Sequence, residues 1–191
     1  MNGIPYVTEA DVDAYGFLYG GEESLSVDLT SHRWSDPYPP VRKALEFSWE
    51  AGELGRKPNI FKHNLLRDVV CDELALNALR SIAGRDVHVY ARASLDGEEL
   101  SVVQATTVLD IVDETRSIPS PYSWARVSFP HISREKGERV RRRVFRVANP
   151  ELSLLVLIGD QVKAEIEAQQ VRGWSFERAW VDLDQPEERG A

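Results

Sequence analysis

Hydrophobic and polar residues alternate along several stretches of the chain, and this spacing predicts a protein rich in β-strands. The stretch 45–49 places Leu, Phe and Trp at every second position, as on a strand with one buried face. The stretch 87–91 alternates likewise before the turn pair Asp96-Gly97, and 100–112 is rich in Val, Ile and Thr, so a β-hairpin is expected. Further strands are predicted at 15–19, 25–29, 124–129, 140–147 and 174–176, with 133–139 as a charged linker.

Two segments carry the spacing of an amphipathic helix, and each directly follows an apolar stretch. In Asp72–Ala83, apolar residues recur on one helical face, and Gly84 is a natural stop. The apolar strand 154–158 is followed by the turn residue Gly159 and the helical segment 160–169. These signals predict an α+β protein, with a mostly antiparallel sheet and two strand-helix units packed against it.

The chain has 191 residues, a length typical of one domain. We therefore expect a single domain over 1–183. The segment 184–191 is polar and lacks apolar anchors, so it is predicted to be a flexible tail. The stretch 32–40 contains three prolines and is expected to form an irregular loop.

Cysteine content and hydropathy indicate the compartment. The lone Cys71 cannot form an internal disulfide, and the N-terminus lacks the basic start and apolar stretch of a secretory signal. The longest apolar run, 154–158, is far below the roughly 20 residues of a membrane-spanning helix. The sequence thus predicts a cytoplasmic protein with no membrane partner.

The sequence contains few residues or motifs that are typical of catalysis, metal binding or cofactor binding. The chain has no Gly-x-Gly-x-x-Gly or Walker pattern, and its histidines show no metal-binding spacing with its one cysteine. Cys71 lies at a strand-to-helix junction, where a thiol either packs as a small residue or becomes reactive. We favour packing, and we expect no catalytic residue, no metal and no cofactor. The histidines are His32, His63, His88 and His131.

The formal net charge of −8 argues against nucleic acid as the main partner, because phosphate binding depends on Lys and Arg. Residues 118–150 nevertheless hold eight basic and two acidic groups, most of them in the basic segment 134–143. That segment could bind nucleic acid, an anionic surface or an acidic protein. Because Arg141 and Arg143 would share one strand face, we expect at least one arginine to contact acids of this same chain.

Four spaced motifs lie within 60–178. They are Val69–Leu74 opening a helix, Val108–Ser117 ending a strand, Val144-Phe145-Arg146, and Leu154–Phe176 with its Gly173-Trp174-Ser175-Phe176 close. In order and type they resemble the immunity-protein domain of bacterial polymorphic-toxin systems, a family first typified by a myxobacterial protein. Cys71 stands where members typically have serine, and residues 1–60 have no counterpart in the family pattern.

The resemblance implies a non-catalytic protein that neutralises a cognate toxin by binding it. The acidic balance suits a nuclease or another toxin with a basic cleft. Aromatic side chains often anchor such interfaces, and Trp34, Tyr38 and Trp49 are the candidates. Exposed sheet edges would also allow two copies to pair.

A polar centre is predicted within the same motifs. We expect Asp113 and Arg146 to meet across adjacent strands, with Ser117 closing the turn. A structural ion pair is one interpretation. The alternative is an enzyme or small-ligand module that uses these three residues, and a third possibility is a nucleic-acid regulator acting through 139–143.

Overall fold

The computed structural model describes residues 5–20, 40–41, 43–63, 69–119, 127–148 and 156–178. These ranges contain strands, α-helices and one 3-10 turn at Gly84–Asp86. The strands are β1 Tyr6–Ala10, β2 Phe17–Tyr19, β3 Leu45–Glu50, β4 Ile60–His63, β5 Val69–Cys71, β6 Val87–Leu95, β7 Glu98–Ala105, β8 Thr107–Leu109, β9 Asp113–Pro119, β10 Val127–His131, β11 Val144–Val147, β12 Leu157–Ile158 and β13 Trp174–Arg178. The helices are α1 Val12–Tyr15, α2 Glu73–Ala83, α3 Arg134–Arg139 and α4 Asp160–Ala168.

Six strands close into a barrel in the order β2-β3-β6-β7-β5-β4. The pairs β3–β6 and β2–β4 are parallel, and the other four pairs are antiparallel. The alternation seen in the sequence sends every second side chain into the barrel, where it is removed from water. The interior is filled by Leu18, Leu45, Phe47, Phe61, Val70, Tyr90, Ala91, Ala93, Leu95, Leu100 and Val102.

A second sheet has five strands in the order β13-β1-β12-β11-β8, and only β11–β8 is parallel. Helices α2 and α4 pack against each other, and their apolar faces share one core with the barrel's outer face and this sheet. Cys71 and Val103 reach this core from the barrel, and Val144 and Ile158 reach it from the sheet. A third core, around Phe145 and Leu157, involves the opposite face of the five-stranded sheet.

Both predicted strand-helix units are confirmed. Strand β5 leads into α2, and Asp72 caps that helix because its Oδ1 accepts a hydrogen bond from Ala75 N at 2.9 Å. Strand β12 leads through Gly159 into α4. The α+β class and the predominance of antiparallel pairs therefore hold, but the strands form a closed barrel, a five-stranded sheet and a β9–β10 pair. Alternation identifies the buried face of a strand and does not identify its neighbours.

Several predicted elements have different bounds. The linker predicted at 133–139 is wrong, because α3 forms there with Ser133 Oγ accepting a hydrogen bond from Lys136 N at 3.4 Å. Only Val144–Val147 of the strand predicted at 140–147 is extended. The run 100–112 is divided, since β7 ends at Ala105 and β8 follows at Thr107.

Other predictions concern the residue at which an element begins or ends, or residues that the structure does not describe. The strand predicted at 15–19 begins at Phe17, because Tyr15 ends α1. The helix stop predicted at Gly84 is confirmed, because α2 ends at Ala83 and Gly84, with a φ of −54°, begins a 3-10 turn. Several predictions lie outside the described residues, namely strand 25–29, the loop 32–40 apart from its last residue, residues 154–155 of the strand 154–158, Trp34, Tyr38, Trp124 and the tail 184–191. None of the helices in the described ranges has both the length and the apolar character that a membrane span requires.

Candidate functional site

The predicted polar centre is brought together in part. Asp113 begins β9 and lies opposite His131 of β10 in the strand register. Ser117 Oγ donates a hydrogen bond to the Asp113 carbonyl oxygen at 2.6 Å and accepts one from His131 N at 2.8 Å. Asp113 and Ser117 therefore share one network, but Ser117 lies within β9 and does not close the predicted turn. His131 is a member that sequence reasoning did not include.

Arg146 belongs to a different sheet. Its strand β11 pairs with β8 and β12, whereas β9 pairs with β10, so Asp113 and Arg146 are not on adjacent strands and the predicted meeting is corrected. The side chain of Arg146 is buried, and its Nε donates a hydrogen bond to Ala105 O at 2.9 Å. The order of the motifs along the chain does not specify which strands pair. In the structure the two charged residues lie on strands of different sheets.

The residues Asp113, Ser117 and His131 are of the types that form a nucleophilic triad. A serine nucleophile must give its proton to a base, and here the Ser117 hydroxyl donates to a main-chain carbonyl. Asp113 Oδ1 accepts hydrogen bonds from Thr115 Oγ1 and Thr115 N at 2.7 and 3.1 Å. The hydroxyl hydrogen bond of Thr115 lowers the pKa of Asp113, which stays ionised and braces the strand end.

The basic segment 134–143 contacts acids of the same chain. Arg143 Nε and Nη2 donate to the two carboxylate oxygens of Asp86 at 2.8 and 2.7 Å, and this interaction raises the pKa of Arg143. Arg141 Nε lies 3.1 Å from Asp160 Oδ1. The expected contact between arginines of this segment and acids of the same chain is confirmed for Arg141 and Arg143. These two arginines lie in a turn and not in the predicted strand.

Cys71 is fully buried at the end of β5, and burial raises the pKa of its thiol to about 12. Only the thiolate is nucleophilic, so we expect Cys71 to react with an aromatic disulfide reagent at pH 8 at least about a hundredfold more slowly in the native chain than after unfolding. Absorbance of the released thiolate measures both rates. Fast labelling of the native chain would contradict the packing role.

No group of three or more His, Cys, Asp or Glu side chains suited to a metal ion occurs in the part of the chain that the structure describes. Among the described residues, the large apolar side chains that are exposed are Val12, Tyr19, Leu54 and Leu74, with exposed fractions of 38, 44, 49 and 44%. Three of these four belong to the segments 11–20 and 45–54, which we call the acidic face.

Main-chain hydrogen bonds join the parts of the acidic face. Glu53 N donates to Asp13 O at 2.8 Å and Leu54 N donates to Ala14 O at 2.9 Å, so the turn after β3 runs beside α1. Strands β2 and β3 are antiparallel, with Tyr19 opposite Ser48 in the register. Because the side chain of Leu18 in β2 is buried inside the barrel, the next side chain along the strand, Tyr19, projects from the outer face.

The charge of the acidic face has one sign. Its two segments contain five carboxylates and neither lysine nor arginine. Cations border it, since Arg56 Cζ lies 5.9 Å from the centre of the Tyr15 ring and Lys62 is opposite Phe17 in the register. The carboxylates are those of Asp11, Asp13, Glu46, Glu50 and Glu53, all exposed.

Trp49 is the one predicted anchor whose position the structure describes. It is half-buried at the edge of the barrel core, and its Nε1 donates a hydrogen bond to Tyr15 O at 2.9 Å. Trp49 therefore holds α1 against the barrel within the acidic face. Sequence reasoning missed Tyr19 and Leu54, because the local sequence does not show that these side chains are exposed.

No family model matches the chain, and no curated protein shows significant sequence similarity to it.

Proposed function

We propose that the chain is an immunity protein, which binds and neutralises a cognate bacterial toxin and catalyses no reaction. The observation that carries the proposal is the acidic face, where exposed apolar side chains lie among five carboxylates. Interfaces combine apolar contacts with complementary charge, and inhibitors of basic enzymes use carboxylates to match cationic clefts. The spaced motifs that resemble the immunity-protein domain support the same function.

The partner that fits best is a toxin with a basic active-site cleft, such as a nuclease. The net charge of −8 favours association with such a cleft and speeds the encounter between the two proteins. An immunity protein of this kind acts in the cytoplasm, where the buried thiol of Cys71 stays reduced.

Co-expression with the neighbouring open reading frame tests the proposal. We expect the neighbour's product to stop growth when it is expressed alone, and we expect this chain to restore growth and to co-purify with it, because a bound toxin cannot reach its substrate. The control is the same plasmid with the reading frame of this chain interrupted, and colony counts and affinity purification are the measurements. A harmless neighbour that does not co-purify would sink the proposal.

The second candidate is a small-ligand module centred on Arg146, because the site expected with Asp113 and Ser117 is divided between two sheets. The observation in its favour is Arg146, because its buried Nη2 makes no hydrogen bond within the described residues. A buried cation with an open donor can bind an anionic group. If the product of the neighbouring reading frame is neither toxic nor bound by this chain, ligand binding replaces toxin neutralisation as the proposed function.

A further inference from the structure

We infer that the acidic face is the surface through which the chain binds its toxin, and that its counterpart is a basic protein surface with an apolar centre. This inference rests on the proposed function and specifies where the contact is made. It assigns Tyr19 and Leu54 as the contact residues and the surrounding carboxylates as the groups that select the partner. Three observations carry it.

The first observation is the concentration of exposed apolar area. Of the four large apolar side chains that are exposed among the described residues, Val12, Tyr19 and Leu54 belong to the acidic face and only Leu74 does not. Single exposed apolar residues are common, but three on two segments joined by main-chain hydrogen bonds give this face exposed apolar area of the kind that interaction sites carry. Tyrosine in particular is enriched among residues that dominate binding energy.

The second observation is rigidity. Helix α1 is tied to the barrel by the hydrogen bond from Trp49 and by two main-chain hydrogen bonds from the turn 53–54. Gly16 and Gly52 bring the two segments so close that a Cβ on Gly16 would overlap the Glu50 carbonyl oxygen. A surface fixed before binding loses less conformational entropy when the partner docks.

The third observation is electrostatic. Asp13, Glu50 and Glu53 are exposed, and no Lys or Arg lies on either segment of the face, although Arg56 and Lys62 border it. Phosphate groups of nucleic acids and anionic lipids are repelled by such a field, whereas a cationic protein cleft is attracted. The charge therefore selects a basic protein as the occupant.

Matched substitutions of two leucines test the apolar contact. We expect Leu54→Asp to raise the dissociation constant for the product of the neighbouring reading frame at least about tenfold, since it places a charge in an apolar contact. Leu74→Asp makes the same change on α2 at nearly the same exposure, and we expect a change of no more than about twofold. Titration calorimetry measures both, and thermal unfolding checks that both variants fold.

Charge reversals test the electrostatic part of the same surface. Glu53→Lys should slow association about threefold or more at low salt, and the difference should shrink as salt is raised. Glu99→Lys, at an exposed position on β7 outside the face, is the control and should have a smaller effect on the association rate. Surface plasmon resonance at two salt concentrations gives the rates.

The possible outcomes separate the two proposals. If the wild-type chain binds the neighbour's product and Leu54→Asp binds as tightly as Leu74→Asp, the acidic face is not the interface and the immunity function stands. If the wild-type chain does not bind that product, or binds RNA instead, the immunity function fails and the interface falls with it. Both the immunity function and the assigned interface are supported if Leu54→Asp weakens binding more than Leu74→Asp does. Glu53→Lys should likewise slow association more than Glu99→Lys does.

Discussion

Replacing Asp86 with alanine is expected to lower the free energy of unfolding by about 3 kcal/mol, because it removes a buried carboxylate that accepts four hydrogen bonds, two of them from the half-exposed Arg143. Asp86 is only 2% exposed and lies in the 3-10 turn after α2. Besides Arg143, its carboxylate accepts hydrogen bonds from Thr107 Oγ1 at 2.6 Å and from the buried Val144 N at 3.1 Å. The substitution leaves Val144 N without this acceptor and removes the contact between this turn and β11.

Urea denaturation of the variant and the wild-type chain measures the effect. Asp110→Ala is the matched control, since Asp110 is exposed just after β8, and its loss should change stability by less than about 0.5 kcal/mol. Asp86→Asn keeps the shape of the side chain, and we expect it to fall between the two. A loss below about 1 kcal/mol for Asp86→Ala would mean that the network contributes little net stability.

Replacing Gly173 with alanine is expected to destabilise the protein by more than about 3 kcal/mol or to prevent its accumulation. Gly173 adopts a φ of +112°, and a Cβ there would overlap the Ile60 carbonyl oxygen. The clash falls where the barrel meets the sheet, because Ile60 N donates to Arg172 O at 2.9 Å and Asp11 N donates to Gly173 O at 3.1 Å. The Ile60 main chain and the Pro58 ring, which the Cβ would meet, are not flexible groups that can move aside.

Gly97→Ala separates the clash from the cost of the backbone conformation. Gly97 has a φ of +83°, and a Cβ there would meet nothing within 4 Å. Its replacement should cost only about 1–2 kcal/mol. Equal losses for the two variants, measured by denaturant unfolding, would show that the close approach at Ile60 is tolerated.

The sequence predicted those elements that depend on residues close to one another in the chain, such as a turn pair or a helix cap. The hairpin β6–β7 follows from Asp96-Gly97, where both residues adopt the positive φ that such a turn requires. The start of α2 follows from Asp72, and its buried face follows from apolar spacing. Helix α3 has no such spacing, and its turns are held by the Ser133 cap and by the ion pair of Arg139 with Glu135.

Strand order and long-range partners could not be predicted from one sequence. Asp86 and Arg143 are separated by 57 positions, and neither residue type specifies the other. The same limit applies to the candidate site. The carboxylates of the acidic face were visible in the sequence, but the exposure of Tyr19 and Leu54 depends on which strands pair and on where α1 packs.

The measurement that tests the central claim most directly is a calorimetric titration of the purified chain with a catalytically inactivated product of the neighbouring reading frame. The proposed function predicts a stoichiometric complex whose affinity falls as salt is raised, because the acidic chain meets a basic surface. Absence of binding at micromolar concentrations of both proteins would contradict it.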